Sequence, residues 1–112
     1  MQHTQHFING QFVSSVSGKT FEKRSPLDNT RLSLVAEGGQ PEVDAAVAAA
    51  KAALHGPWGK MTTEQRVAML HAVADGITAR FDDFVAAEEA DTGQPRHVMQ
   101  HAFVPRGAAR SE

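Results

Sequence analysis

The chain has 112 residues, 41% of them hydrophobic and 21% charged, with 11 Lys plus Arg, 13 Asp plus Glu, a formal net charge of -2 and no cysteine. That length allows one small domain at most, and a balanced charge without any basic block argues against a nucleic-acid or anionic-membrane partner. Lack of cysteine excludes disulfides, thiolate metal sites and a cysteine nucleophile within these residues.

The opening Met1-Gln2-His3-Thr4-Gln5-His6 has neither the cationic start nor the apolar stretch of a secretory signal. No apolar run approaches the roughly 20 residues of a membrane span, so a soluble, cytoplasmic protein is expected. In Phe7-Ile8-Asn9-Gly10-Gln11-Phe12-Val13, Asn-Gly stands between apolar and aromatic pairs, which predicts a tight β-hairpin because both turn positions must take positive φ. Thr20 to Lys23 reads as a further extended piece and Ser25-Pro26-Leu27-Asp28-Asn29 as a turn. A strand is expected over Arg31-Leu32-Ser33-Leu34-Val35, where Leu32 and Leu34 keep period two, ending at Ala36.

At Pro41 the period changes. Glu42 and Asp44 suit the positive end of a helix dipole, and Val43, Ala46, Val47, Ala50 and Leu54 recur at three and four residues. The spacing predicts an alanine-rich helix over about 41 to 54, packed closely through that face. His55-Gly56-Pro57-Trp58-Gly59 breaks it, and Thr62 with Gln65 forms a capping box for the next helix, whose expected buried stripe is Val67, Leu70, Val73, Ala74 and Ile77. Gly76 inside that helix points to a close backbone contact or a weak point. Phe81, Phe84 and Val85 continue the apolar face, with Asp82 and Asp83 in the first turn of a separate helix, and Asp91-Thr92-Gly93-Gln94-Pro95 is a helix stop. A last helical stretch begins near Arg96, and Pro105 is best placed as the start of a new helix. A few short strands followed by about four helices make an α/β fragment with open sheet edges, an incomplete unit.

Three patterns invite chemistry, and each has a plainer explanation. His97 and His101 stand at i and i+4, a metal-ligand spacing, but Val98 rather than Glu follows His97 and no third ligand has its own spacing logic. Two solvent-facing or helix-terminal histidines are the better reading. Gly56-Pro57-Trp58-Gly59-Lys60-Met61-Thr62 has the ingredients of a phosphate loop without its spacing, since Met61 rather than a hydroxyl residue follows Lys60; a connector anchored by Trp58 is expected instead. Asp82-Asp83 and Glu88-Glu89 are sequence neighbours that diverge around a helix, as on a solvated face. No G-x-G-x-x-G occurs. The residues alone therefore supply no catalytic, cofactor-binding or metal-binding site.

The ordered string Phe7-Ile8-Asn9-Gly10, Ser17-Gly18-Lys19-Thr20-Phe21, Val43-Asp44-Ala45-Ala46-Val47, Gly56-Pro57-Trp58 and Asp91-Thr92-Gly93-Gln94-Pro95 resembles the amino-terminal part of the NAD-dependent aldehyde dehydrogenase superfamily, over nearly the whole chain. Gly56-Pro57-Trp58-Gly59-Lys60-Met61, Val73-Ala74-Asp75-Gly76-Ile77, Arg80-Phe81-Asp82 and Val104-Pro105-Arg106-Gly107-Ala108-Ala109 are most similar to its 2-hydroxymuconic or 2-aminomuconic semialdehyde dehydrogenases. Ser25 stands before Pro26 where the family usually has Asn, and Arg110-Ser111-Glu112 does not continue the family's helical sequence. A truncated or frame-disrupted chain is therefore expected.

The resemblance implies a partial Rossmann-type domain over residues 1–112, part of an enzyme that oxidises an aldehyde, in particular 2-hydroxymuconic semialdehyde, to a carboxylic acid. A complete relative would attack the aldehyde with a thiolate, pass hydride to NAD and release the acid by hydrolysis. The family's catalytic cysteine, general base and nucleotide loop lie outside the region matched. This chain alone is thus expected to be inactive and to bind no NAD, its partners being the remainder of the dehydrogenase fold or further copies in an oligomer. Asp91, whose family counterpart lies near a monovalent-cation site, reads as a helix-end acceptor; Lys23 and Arg24 occupy the other matching positions. The competing expectation is a stand-alone, non-catalytic structural or interaction module with exposed edges and apolar helix faces.

Overall fold

The computed structural model describes residues 2–103, 105 and 106. They form two compact units. The first holds five strands and two helices: β1 (Gln2–Thr4), β2 (His6–Ile8), β3 (Gln11–Val13), β4 (Thr20–Arg24), β5 (Arg31–Ala36), α1 (Gln40–Ala53) and α2 (Pro57–Lys60). The second holds the 25–28 turn, α3 (Thr63–Ala79), α4 (Phe81–Thr92), α5 (Arg96–Val98) and a π-helical turn over Met99–Phe103.

In the first unit the expected hairpin forms. Asn9 at φ 54° and Gly10 at φ 76° close a two-residue turn between β2 and β3, and the register sets Phe7 opposite Phe12. Their ring centroids lie 5.0 Å apart, tilted by 57°, an arrangement favoured by the aromatic quadrupole. The hairpin forms its own two-stranded sheet, separate from a three-stranded one ordered β1-β5-β4. There β4 runs antiparallel to β5, with Thr20 opposite Ala36 and an irregularity between Lys23 and Arg24. Strand β1, which the polar Gln2-His3-Thr4 gave no periodic signal for, runs parallel to β5, with His3 opposite Leu34. Among the described residues β1 and β4 each have one neighbour, so both edges of this sheet stay open.

The alternation expected for β5 is only partly realised. Leu32 and Leu34 are half-covered, while Ser33 and Ala36 are the buried residues. Strand β5 is flanked on both sides, and small side chains there disappear beneath their neighbours where larger ones protrude. The close packing expected of α1 is also corrected. Glu42 is its buried residue, whereas Val43 and Val47 are 55% and 48% exposed. The helix does lie beside the hairpin turn, where Ala46, Ala49, Ala50 and Ala53 share a shallow groove with Phe7, Ile8, Asn9 and Gly10. The expected breaker contains a four-residue helix, α2, and Trp58 in it is 38% exposed rather than a buried anchor. Gly59 sits so close to the Leu54 carbonyl that any Cβ would overlap it.

In the second unit α3 begins as expected. Thr62 Oγ1 accepts from the Gln65 N–H at 3.2 Å, and Gln65 Oε1 accepts from the Thr62 N–H at 2.9 Å. Its stripe, however, is open: Val67, Leu70 and Val73 are 46%, 63% and 61% exposed, and no residue of α3 is buried. Among the described residues, apart from the chain neighbours and the helix's own backbone, no heavy atom lies within 4 Å of where a Cβ of Gly76 would stand, so they do not supply the expected close backbone contact. Arg80 both ends α3 and starts α4, making the two helices separate. Helix α4 stops at Gly93, left-handed at φ 70°, whose N–H bonds the Glu89 carbonyl. The core of this unit is small: Val85 and Met99 are fully buried, with Phe81 and Val98 packed against them. Pro105 and Arg106 are helical, and the rest of the helix expected from Pro105 lies outside the described residues, as does the 110–112 segment.

Candidate functional site

The sequence-level candidates do not converge. His97 and His101 are both exposed, and among the described residues no group of three or more His, Asp or Glu side chains is placed to hold a metal ion. The adjacent carboxylates diverge as expected: Asp82 faces Arg96 at 3.9 Å and Asp83 faces Arg80 at 3.4 Å. Glu89 also takes Arg96, at 3.4 Å. These are exposed pairs, each worth at most about 1 kcal/mol. Asp91 lies exposed in the last turn of α4.

A buried polar group gathers around Glu42, which the sequence marked only as a carboxylate suited to the start of a helix. The Glu42 carboxylate, near the start of α1, accepts from the Val16 N–H at 2.6 Å through Oε1 and from the Gly39 N–H at 2.8 Å through Oε2. Gly39 is the helix N-cap, so the second contact is the carboxylate half of a capping box, and glycine supplies no side chain for the other half. Hydrogen bonds from the Val16 and Gly39 backbone, then from its own N–H, hold the Glu42 carboxyl below the ordinary glutamate value; burial opposes them and the nearby His6 adds to them.

Next to it, Ser15 is buried and its hydroxyl donates to the Glu37 carbonyl, while its Oγ lies 3.1 Å from His6 Nε2. A serine beside a histidine has the outward form of a nucleophile and base. The proton count excludes that role in this arrangement. The single Ser15 O–H is directed at Glu37, so Ser15 accepts at the His6 contact and His6 carries its proton on Nε2. A histidine donating to a serine oxygen is not positioned to deprotonate it. The network therefore joins β2, the 14–16 segment, the 37–39 segment and the first turn of α1 into one polar junction, and its chemistry is structural. A glutamate at the third helical position after Gly39 was its one legible signal.

The profile of the aldehyde dehydrogenase family matches residues 12–110 of this chain. A 2-hydroxymuconic semialdehyde dehydrogenase of Pseudomonas sp. (strain CF600) is 56% identical over 109 residues, covering 97% of this chain and 22% of that protein. A 2-aminomuconic 6-semialdehyde dehydrogenase of Pseudomonas sp. is 39% identical, with 97% and 22% covered. Among solved structures, the NAD+ complex of the aldehyde dehydrogenase from Bacillus cereus superposes with a TM-score of 0.91 at 35% identity, over 96% of this chain and 22% of that one. The mixed α/β arrangement described above is thus an aldehyde dehydrogenase substructure. The chain belongs to the aldehyde dehydrogenase family and spans about a fifth of the length of these relatives.

Proposed function

We propose that these residues are the amino-terminal, non-catalytic part of an NAD-dependent dehydrogenase that oxidises 2-hydroxymuconic semialdehyde to the corresponding carboxylic acid. The observation that carries this reading is the 56% identity to a 2-hydroxymuconic semialdehyde dehydrogenase across 97% of the chain. In the proposal NAD accepts the hydride and is held by the rest of the protein. The residues present do not fit that cofactor: they contain no glycine-rich dinucleotide loop, and Pro57–Lys60 is a short helix rather than an open phosphate cradle. The attacking thiolate also belongs elsewhere, because these 112 residues contain no cysteine.

What this segment contributes is surface. Val43 and Val47 on α1, and Val67, Leu70 and Val73 on α3, present apolar faces that fit burial by further parts of the dehydrogenase, the proposed partner along with other copies in an oligomer. A self-sufficient module has less support, since such a module would cover these stripes itself. No helix among the described residues is long and apolar enough to cross a membrane, and a cytoplasmic location is part of the proposal.

The test exchanges this segment for the matching segment of the Pseudomonas relative. The exchanged enzyme is expected to reduce NAD with 2-hydroxymuconic semialdehyde, and the purified 112-residue chain to reduce none. Turnover by the isolated chain, or a folded exchanged enzyme that oxidises other aldehydes but not this one, would overturn the reading.

A further inference from the structure

We propose that Asn9 is a site of spontaneous, water-driven conversion to aspartate and isoaspartate, an ageing modification at the tip of the hairpin. Asn9 and Gly10 are both exposed, and among the described residues, apart from the two chain neighbours, no heavy atom lies within 4 Å of where a Cβ at Gly10 would stand. Solvent base and water can therefore reach this exposed dipeptide, and Gly10 carries no side chain to hinder attack by its own nitrogen. In the reaction the Gly10 nitrogen loses its proton to solvent base and bonds to Asn9 Cγ. The Cγ–Nδ2 bond breaks, ammonia leaves, and a five-membered imide closes. Water then opens either carbonyl of the imide, so the overall change consumes one water, releases one ammonia and involves no redox step.

The left-handed turn opposes ring closure. It holds Asn9 at φ 54°, in the left-handed region, whose positive ψ keeps Gly10 N out of line with the Asn9 side chain, whereas ring closure needs that nitrogen nearly eclipsed with Cβ so that it reaches Cγ. The hairpin is a weak lock, however. Its strands are three residues each and it is not joined to the other sheet, so the turn is held by one short ladder and by the shallow alanine groove of α1. Opening of β2 from β3 releases the constraint and sets the rate.

The products matter locally. Aspartate places a carboxylate at the rim of the apolar groove that the turn shares with Ala46, Ala49, Ala50 and Ala53. Isoaspartate also lengthens the backbone inside a loop that closes only with two residues in left-handed conformations. Asn29 is the internal control, because it too is exposed with positive φ, at 60°, but is followed by the β-branched Thr30.

The experiment ages the full chain at mildly alkaline pH and maps its peptides by mass spectrometry. The expected result is the mass gain of an amide-to-acid conversion in the peptide holding Asn9, severalfold ahead of Asn29, with isoaspartate present and the net charge of the converted chain one unit more negative than -2. Gly10→Ala should slow it severalfold, and because that change also strains the turn, Asn9→Asp provides a second marker that should co-elute with one aged product. Equal conversion of Asn9 and Asn29, or an Asn9 that converts in urea but stays intact in the folded chain, would overturn the proposal.

Discussion

Replacing Val85 with alanine tests whether the second unit is held by the small core assigned to it. Val85 is 0% exposed and contacts Met99, itself 1% exposed, with Phe81 and Val98 around them. The substitution removes two buried methyl groups, each worth about 0.8 kcal/mol in transfer free energy. The residual cavity adds roughly 1 kcal/mol, at about 24 cal/mol per Å³. A loss of about 2–3 kcal/mol is therefore expected. With a urea dependence of about 1 kcal/mol per molar for so small a unit, the midpoint of the helical circular-dichroism signal falls by about 2–3 M, or the unit is unfolded in buffer. Val73→Ala is the matched control: the same atoms leave a site that is 61% exposed, so the change should stay within about 0.5 kcal/mol. Equal midpoints for the two variants would refute the assignment of Val85 and Met99 as the core.

Glu42 makes stability depend on acid. Its carboxyl lies below the ordinary 4.5 in the folded chain, so its contribution is fully present at neutral pH, erodes as the pH drops below that value and is lost once the pH falls through the folded value. Glu42→Gln should remove that part of the slope in a plot of urea midpoint against pH; superimposable slopes would show that the carboxylate does not tie the junction. Gly93→Ala should cost about 1–3 kcal/mol, because φ is 70° and the new Cβ would stand 2.8 Å from Pro26 Cγ; an unchanged melting midpoint would contradict it. Gly76→Ala should raise stability by up to about 1 kcal/mol, since among the described residues, apart from the chain neighbours and the helix's own backbone, no heavy atom lies within 4 Å of the new Cβ. A fall in melting temperature there would mean that Gly76 meets a contact not seen in this chain.

The amino-acid sequence determined the features whose causes are local. Asn9-Gly10 dictates a left-handed two-residue turn, Thr62 and Gln65 satisfy each other's backbone within one helical turn, and Gly93 stops α4 because glycine takes a left-handed cap without strain. Family membership was legible for a similar reason, being carried by short ordered motifs spread over the chain. Tertiary structure decided what depends on distant residues. Strand β1 has no apolar period and exists because β5 offers it an open edge. The polar junction needs Val16 to meet Glu42 across 26 positions and Ser15 to meet Glu37 across 22, a pairing that spacing does not reveal. The stripes on α1 and α3 show the same division. Their periodicity specifies an apolar face, but burial requires a partner surface, and in this chain Val43, Val47, Leu70 and Val73 stay open to solvent.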